Sequence, residues 1–262
     1  MFNQFWFEAK NINCHKNGFR VIKDLNLKIA YSENVILIGP NGSGKSSLIE
    51  VINRNIYPVI ESESKLRIFN KEIINLWELR KRISTVNNEI KNRINPNLQV
   101  FDLILSGLYG RYCLISKKSE RDHDKVKSIL KNMHISSLSN KYFSYLSDGE
   151  KQISLIARAL IKKPDILILD EPTANLDYKS KYFVIDKINE LSKLNTRILC
   201  VTHDISMITS IYDRVIMLKG GEIIADGDQN KIINSENLKK LYGIDVEVIS
   251  NNGFWFIKRV SK

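Results

Sequence analysis

The alternation of apolar and polar positions divides the chain into short strands, helices and turns. Phe5 to Cys14 and Val21 to Ile29 alternate with a period of two and predict half-buried strands. Val35 to Ile38 is an unbroken apolar run that feeds straight into a glycine-rich turn, as a buried strand does, and a helix is expected from about Lys45. Arg82 to Val86 predicts a further strand. From about Glu89 to Ile161 the pattern is mostly helical, with Glu120 to Met133 amphipathic and polar loops between, so an inserted helical subdomain is expected. Ile166 to Leu169 as a strand, Lys179 to Leu194 as a helix and Arg197 to Val201 as a strand give the alternation of a parallel sheet. Arg214 to Asp226 reads as a hairpin turning at Gly220-Gly221. A short helix, Glu236 to Tyr242, follows, then strands Val246 to Ile249 and Phe254 to Ile257 joined by Asn251-Asn252-Gly253.

With 262 residues, 43% hydrophobic and 26% charged, the chain can bury one large core, or a core with a subdomain, which excludes a disordered polymer. No apolar run approaches the roughly 18 to 20 residues needed to cross a bilayer. The start, Met1-Phe2-Asn3-Gln4-Phe5-Trp6, has no basic region, long apolar stretch or cleavage site, so no secretory signal is expected. Cys14, Cys113 and Cys200 are odd in number and far apart, which argues for a reducing cytosol and against a disulfide framework or zinc site. The net charge of +11, from 40 Lys and Arg against 29 Asp and Glu, is spread along the chain and reads as a solvated surface.

Three stretches carry candidate chemistry. Gly39-Pro40-Asn41-Gly42-Ser43-Gly44-Lys45-Ser46 fits G-x-x-x-x-G-K-[ST] between a buried strand and a helix. Its glycines let backbone N–H groups turn inward around phosphate oxygens, and the helix start adds positive potential. Lys45 adds a point charge and Ser46 a hydroxyl for Mg²⁺, with Ser47 grouped among the nucleotide-binding residues. Ile166-Leu167-Ile168-Leu169-Asp170-Glu171 is an apolar strand ending in two acids: Asp170 is suited to hold Mg²⁺ through water, and Glu171, one residue beyond, to polarise the water attacking a γ-phosphate. An acidic strand end is also a common cap. Ser147-Asp148-Gly149, before the helix from Ile153 to Ile161, reads by itself as an ordinary N-cap, and its place before the acidic strand gives it more weight.

With these motifs in this order, the chain resembles the nucleotide-binding domain of ABC (ATP-binding cassette) transporters along nearly its whole length. Ser147 to Gln152 resembles the family's signature, L-S-G-G-Q, and Pro172-Thr173-Ala174-Asn175-Leu176-Asp177 the loop after the two acids, with Asp177 reaching a partner subunit. Thr202-His203-Asp204 is similar to the family's switch histidine, which contacts γ-phosphate and holds the attacking water. The resemblance implies an α/β fold, a P-loop NTPase (RecA-like) core with an antiparallel β subdomain and an inserted helical subdomain. It implies a single ABC ATPase domain over 1-262, in which 1-88 and 162-262 form core and β subdomain and about 89-161 the helical subdomain. ATP and Mg²⁺ are its cofactors, and two subunits close head to tail on two ATPs as a homodimer. Lys45, Ser46, Asp170, Glu171 and His203 then come from one chain, and Ser147, Gly149 and Asp177 from the other.

The chain departs from the family in three places. Asp148 and Glu150 stand where the commonest signature has Gly and Gln. Asn87-Asn88-Glu89 replaces the expected glutamine, with Asn88 the best alignment and its shorter amide offered to Mg²⁺ or water. His15-Lys16-Asn17-Gly18-Phe19 lacks the adenine-stacking tyrosine, leaving Phe19 or His15 in its place and weaker adenine discrimination expected. The resemblance further implies a cytoplasmic ATPase, peripheral on the inner face of the cell membrane. It would energise separate permease subunits, with an extracytoplasmic substrate-binding protein in the same system, and touch the permease near Asn88 to Leu108. Glu236 to Val246 and Ser106-Gly107-Leu108-Tyr109 resemble importer ATPases for iron chelates and related metal or oxyanion cargo such as molybdate. An exporter ATPase, a soluble ABC-type ATPase of iron–sulfur cluster assembly and a nucleic-acid ATPase remain alternatives. The last generally carries tandem cassettes or long coiled-coil insertions, for which 262 residues leave no room, so no nucleic acid is expected as partner.

Overall fold

Strands β1 (Phe5–Lys16) and β2 (Phe19–Ala30) form an antiparallel hairpin that turns at Asn17-Gly18, both at positive φ (51° and 81°), where Asn and Gly are the residues of least strain. The computed structural model describes residues 4–59, 61–112, 119–191, 195–251 and 253–260. Cys113, positions 192–194 of the expected helix Lys179 to Leu194, and Asn252 of the last expected turn lie outside them. The chain divides into two units, Met1–Arg80 with Arg197–Lys262, and Lys81–Thr196.

In the first unit the hairpin buries Trp6, Phe7, Ile12, Ile22, Leu25 and Ile29. After β3 (Val35–Ile38) and α1 (Lys45–Ile52), β4 (Lys65–Ile68) adds to the other edge of β1, with Phe7 opposite Ile68, and α2 (Leu76–Arg82) follows.

The second unit starts from β5 (Ile83–Val86), short helix α3 (Asn88–Arg93), α4 (Val100–Tyr109), α5 (Glu120–Asn132) and α6 (Asp148–Leu160). Next come β6 (Ile166–Asp170), parallel to β5, and α7 (Tyr178–Glu190). The helices α4 and α6 approach so closely that a Cβ on Gly107 would stand 2.3 Å from the Arg158 carbonyl oxygen. Arg158 locks the pair, its Nε donating to Ser106 Oγ at 3.1 Å.

The chain then completes the first unit. The strand β7 (Arg197–Thr202) and β8 (Arg214–Lys219) flank β3, both parallel to it, and β9 (Glu222–Gly227) returns antiparallel to β8 through Gly220-Gly221. Every residue of β3 is buried, as a central parallel strand requires. The buried Asn34 side chain staples the start of this sheet, donating to the Ile211 carbonyl at 3.1 Å and accepting from Ile198 N at 2.9 Å. Short α8 (Gln229–Ile232), α9 (Ser235–Tyr242) with Leu238 and Leu241 buried, and the antiparallel pair β10 (Val246–Asn251) and β11 (Phe254–Arg259) close the chain.

Candidate active site

In the first unit β3 ends at Ile38 and the chain turns at Gly39, whose N–H donates to the Thr202 carbonyl at 3.3 Å. A Cβ on Gly39 would stand 2.2 Å from the Leu218 carbonyl oxygen and 2.7 Å from Ser43 Oγ, so no side chain fits. Gly44, at φ 103°, meets the Val21 carbonyl in the same way, at 2.7 Å. Ser43 N donates to the Pro40 carbonyl at 3.2 Å, and the Ser43 carbonyl accepts from Gly221 N at 2.9 Å. The β8–β9 turn thus braces the loop from outside.

Lys45 is 6% exposed and folds back, Nζ donating to the Gly39 and Pro40 carbonyls at 2.8 and 3.1 Å. The helix behind it, α1, starts at Gly44 with no side-chain cap and no acid in its first turn, where Ser46 and Ser47 lie. Its first N–H groups therefore have no capping oxygen. Ser43 Oγ is buried without a hydrogen-bond partner among the described residues. A cradle in which no Cβ fits, a buried lysine, an orphaned hydroxyl and an uncapped helix start all fit a polyphosphate. Because β7 pairs Thr202 with Ile38, His203 leaves the same strand end as the loop. Asp204 caps the turn that follows, accepting from Ser206 N at 3.0 Å, and Tyr242 Oη donates to the His203 carbonyl at 3.0 Å.

In the second unit β5 and β6 pair Val86 with Leu169, so Asn88 and Asp170 leave the carboxyl ends of neighbouring parallel strands. Asn87 is committed to capping α3, accepting from Ile90 N at 3.1 Å, which leaves Asn88 as the exposed first residue of that helix. Glu171 has φ 50°, a left-handed conformation that costs a non-glycine residue of order 1 kcal/mol or more and clusters at functional sites. Its carbonyl accepts from Ala174 N at 3.2 Å, opening the turn that runs to Asp177.

Ser147 caps α6 in a reciprocal box: its Oγ accepts from Glu150 N at 3.2 Å and the Glu150 carboxylate from Ser147 N at 2.9 Å. Gly149 is buried, and a Cβ there would meet Ser180 Cβ at 3.1 Å. Ser180 N in turn donates to Asp177 Oδ1 at 2.8 Å, so the signature turn and the start of α7 pack on each other.

The ABC transporter family profile matches residues 22–174. An uncharacterized ABC transporter ATP-binding protein, YmeB, of Lactococcus lactis is 33% identical over 91% of this chain and 93% of its own. The phosphonates import ATP-binding protein PhnC 2 of Oceanobacillus iheyensis is 30% identical over 90% of this chain and 95% of its own. Among solved structures, cbiO1 of Clostridium perfringens, part of the ABC transporter complex cbiONQ, superposes with a TM-score of 0.77. It is 26% identical, and the match covers 91% of this chain and 94% of that one.

The chain belongs to the ABC transporter family, as an ATP-binding subunit. It has the P-loop NTPase fold and is an ATP hydrolase. ABC cassettes of this kind form dimers and work with membrane permeases. No described helix is long and apolar enough to cross a membrane.

This ABC ATPase offsets the two acids its signature gains. Lys91 of α3 lies 2.8 Å from Asp148, Lys151 3.7 Å from Asp148, and Lys141 3.1 Å from Glu150. The hydrogen bond from Lys91, and then its charge, holds the Asp148 carboxyl below the ordinary value. Burial works against ionising Glu150, yet Ser147 and Lys141 outweigh it and hold that carboxyl low as well. Phe19 and His15 both lie exposed on the β1–β2 hairpin. Tyr242 and Gly221, which brace the His203 and phosphate loops, belong to no motif that marks them. Gly107, read from sequence only as a likeness to importers, has a packing reason as well.

Proposed function

We propose that this ABC ATPase drives uptake of a metal chelate, metal or oxyanion through separate membrane permease subunits fed by an extracytoplasmic substrate-binding protein, from a position on the inner face of the cell membrane. Support for import comes from the likeness over 90% of the chain to a phosphonates import ATP-binding protein. For metal or oxyanion cargo it is the tail Glu236 to Val246 together with Ser106 to Tyr109. The helical stretch of about 89-161 receives the permease, near Asn88 to Leu108.

In this reading Gly39 and Pro40 shape the turn, and Asn41, Gly42, Ser43, Gly44, Ser46 and Ser47 present backbone N–H groups or hydroxyls to the phosphates of ATP. Lys45 trades its two carbonyl partners for phosphate oxygens, a short step because its side chain is already folded over the loop. Ser46, Asp170 and Asn88 would hold Mg²⁺, which when bound would offset charge developing on the phosphates. Glu171 accepts the proton of the attacking water, and His203 holds that water and the γ-phosphate in place. Ser147, Gly149 and Asp177 act on the ATP of the partner in a head-to-tail homodimer.

The test is affinity purification of the tagged protein from gently solubilised native membranes. A polytopic permease at stoichiometric level is the expected outcome. Recovery with assembly scaffolds or nucleic acid and no membrane partner would overturn the importer while leaving the ATPase intact.

A further inference from the structure

In the first unit, β1, β4 and the segments that follow α1 and β4 line a cavity of about 820 Å³. That is the size of a small-molecule site, roughly 300 to 1,000 Å³. Ile12, Pro58, Val59, Leu66 and Ile73 give it an apolar wall, and polar and charged side chains line the rest. Arg54 lines the cavity with only 9% of its surface exposed, on a backbone at φ 59°. Among the described residues its guanidinium makes one hydrogen bond, to the Glu72 carbonyl at 2.9 Å, out of the five N–H donors it carries.

The acids of the lining pair with other cations, Glu63 with Lys10 at 3.6 Å and Glu72 with Arg67 at 3.0 Å. Lys65, the other lysine of the lining, is exposed to water. Arg54 is thus a desolvated cation with no carboxylate in ion-pair reach among the described residues, and burial lowers its pKa. A charge in that position is costly unless an anion meets it.

We propose that this cavity binds a small organic monoanion, a carboxylate carried on an aryl or branched aliphatic body. The guanidinium fork matches a carboxylate in bidentate fashion, one desolvated cation matches one negative charge, and the apolar walls take the hydrocarbon. Tyr57, 65% exposed at the rim, offers an aromatic face to the same body. The site goes beyond the nucleotide chemistry and does not depend on it.

Calorimetric titration of the full chain with 4-phenylbutyrate and with its neutral counterpart, 4-phenyl-1-butanol, separates charge recognition from apolar burial. The carboxylate is expected to saturate one site and to bind at least about tenfold tighter than the alcohol, the difference a charged hydrogen-bond pair supplies. Arg54→Gln should reduce that preference to about twofold or less while ATP affinity stays at the wild-type value. Equal affinities of the two probes for the wild-type chain, or no saturable binding of either, would overturn the proposal without recourse to any variant. A preference surviving in a folded, ATP-binding Arg54→Gln chain would do so as well.

Discussion

Two helix starts in this protein, both proposed above to face phosphate, are built in opposite ways. The helix α1 begins at a left-handed glycine with no side-chain cap and no acid in its first turn. The helix α6 begins with a closed capping box and two carboxylates, Asp148 and Glu150. At α1 no side chain caps the partial positive charge of the helix end and no acid stands in its first turn, so it is available to a ligand. At α6 it is already spent on internal acids, which three lysines balance in turn. The first start is left open for an anion. The second is a stable structural cap whose contribution to a partner's nucleotide has to compete with its own side chains.

The largest effect that sharpens this contrast is expected at Lys45. Lys45→Ala should weaken ATP binding by about 100-fold or more, the scale set by removing one charge-stabilising donor, as read by a fluorescent-nucleotide titration. Retention of affinity within a few-fold would break the picture of the open helix start. The glycines come next. Gly39→Ala puts a Cβ 2.2 Å from a carbonyl oxygen and should cost about 1 to 3 kcal/mol of stability, together with ATP binding. Gly149→Ala, whose Cβ meets its nearest atom at 3.1 Å, should cost less than about 1.5 kcal/mol. Thermal denaturation of the two variants side by side ranks them.

A smaller change is expected from Tyr242→Phe, which removes the hydrogen bond to the His203 carbonyl. Steady-state ATPase assays should show kcat lower by about 3- to 10-fold with KM for ATP unchanged, the worth of one neutral hydrogen bond. At α6 the double variant Asp148→Gly with Glu150→Gln should strengthen ATP-dependent dimerisation a few-fold in light scattering. Its stability should fall by about 1 kcal/mol through the weakened cap. The smallest effect lies in pH. Because the folded chain holds the Asp148 carboxyl below its ordinary value, the Lys91 contact contributes above that ordinary value and is lost as pH falls through the folded one. Half exposed, it is worth under about 1 kcal/mol, and Asp148→Asn should flatten the acid limb of Tm against pH by that amount.

The parts of the fold legible in the sequence are those whose local chemistry allows one answer. The buried run Val35 to Ile38, the glycine turn after it, the acidic end of Ile166 to Leu169 and the hairpin at Gly220-Gly221 all appear where the pattern puts them. The strand β4 was not legible because its four residues alternate too briefly and owe their conformation to pairing with β1. Nor was α2, which buries only Leu79 and leaves Trp77 75% exposed, so no apolar stripe marks it. In the site, residue types and order were readable, but their long-range supports were not. The Tyr242 bond to His203 spans 39 positions. The engagement of Glu63 and Glu72 away from Arg54 likewise depends on which side chains the fold brings together. The left-handed Glu171 has no signal in residue type at all, because glutamate rarely adopts that conformation.

Whether Glu171 serves as the base of this ATPase is decided by Glu171→Gln, followed for ATP hydrolysis and for association state in the same sample. ATP should bind with wild-type affinity, hydrolysis should fall by about 1,000-fold, and closed dimers should accumulate on ATP addition. Hydrolysis at the wild-type rate in that variant would contradict that role.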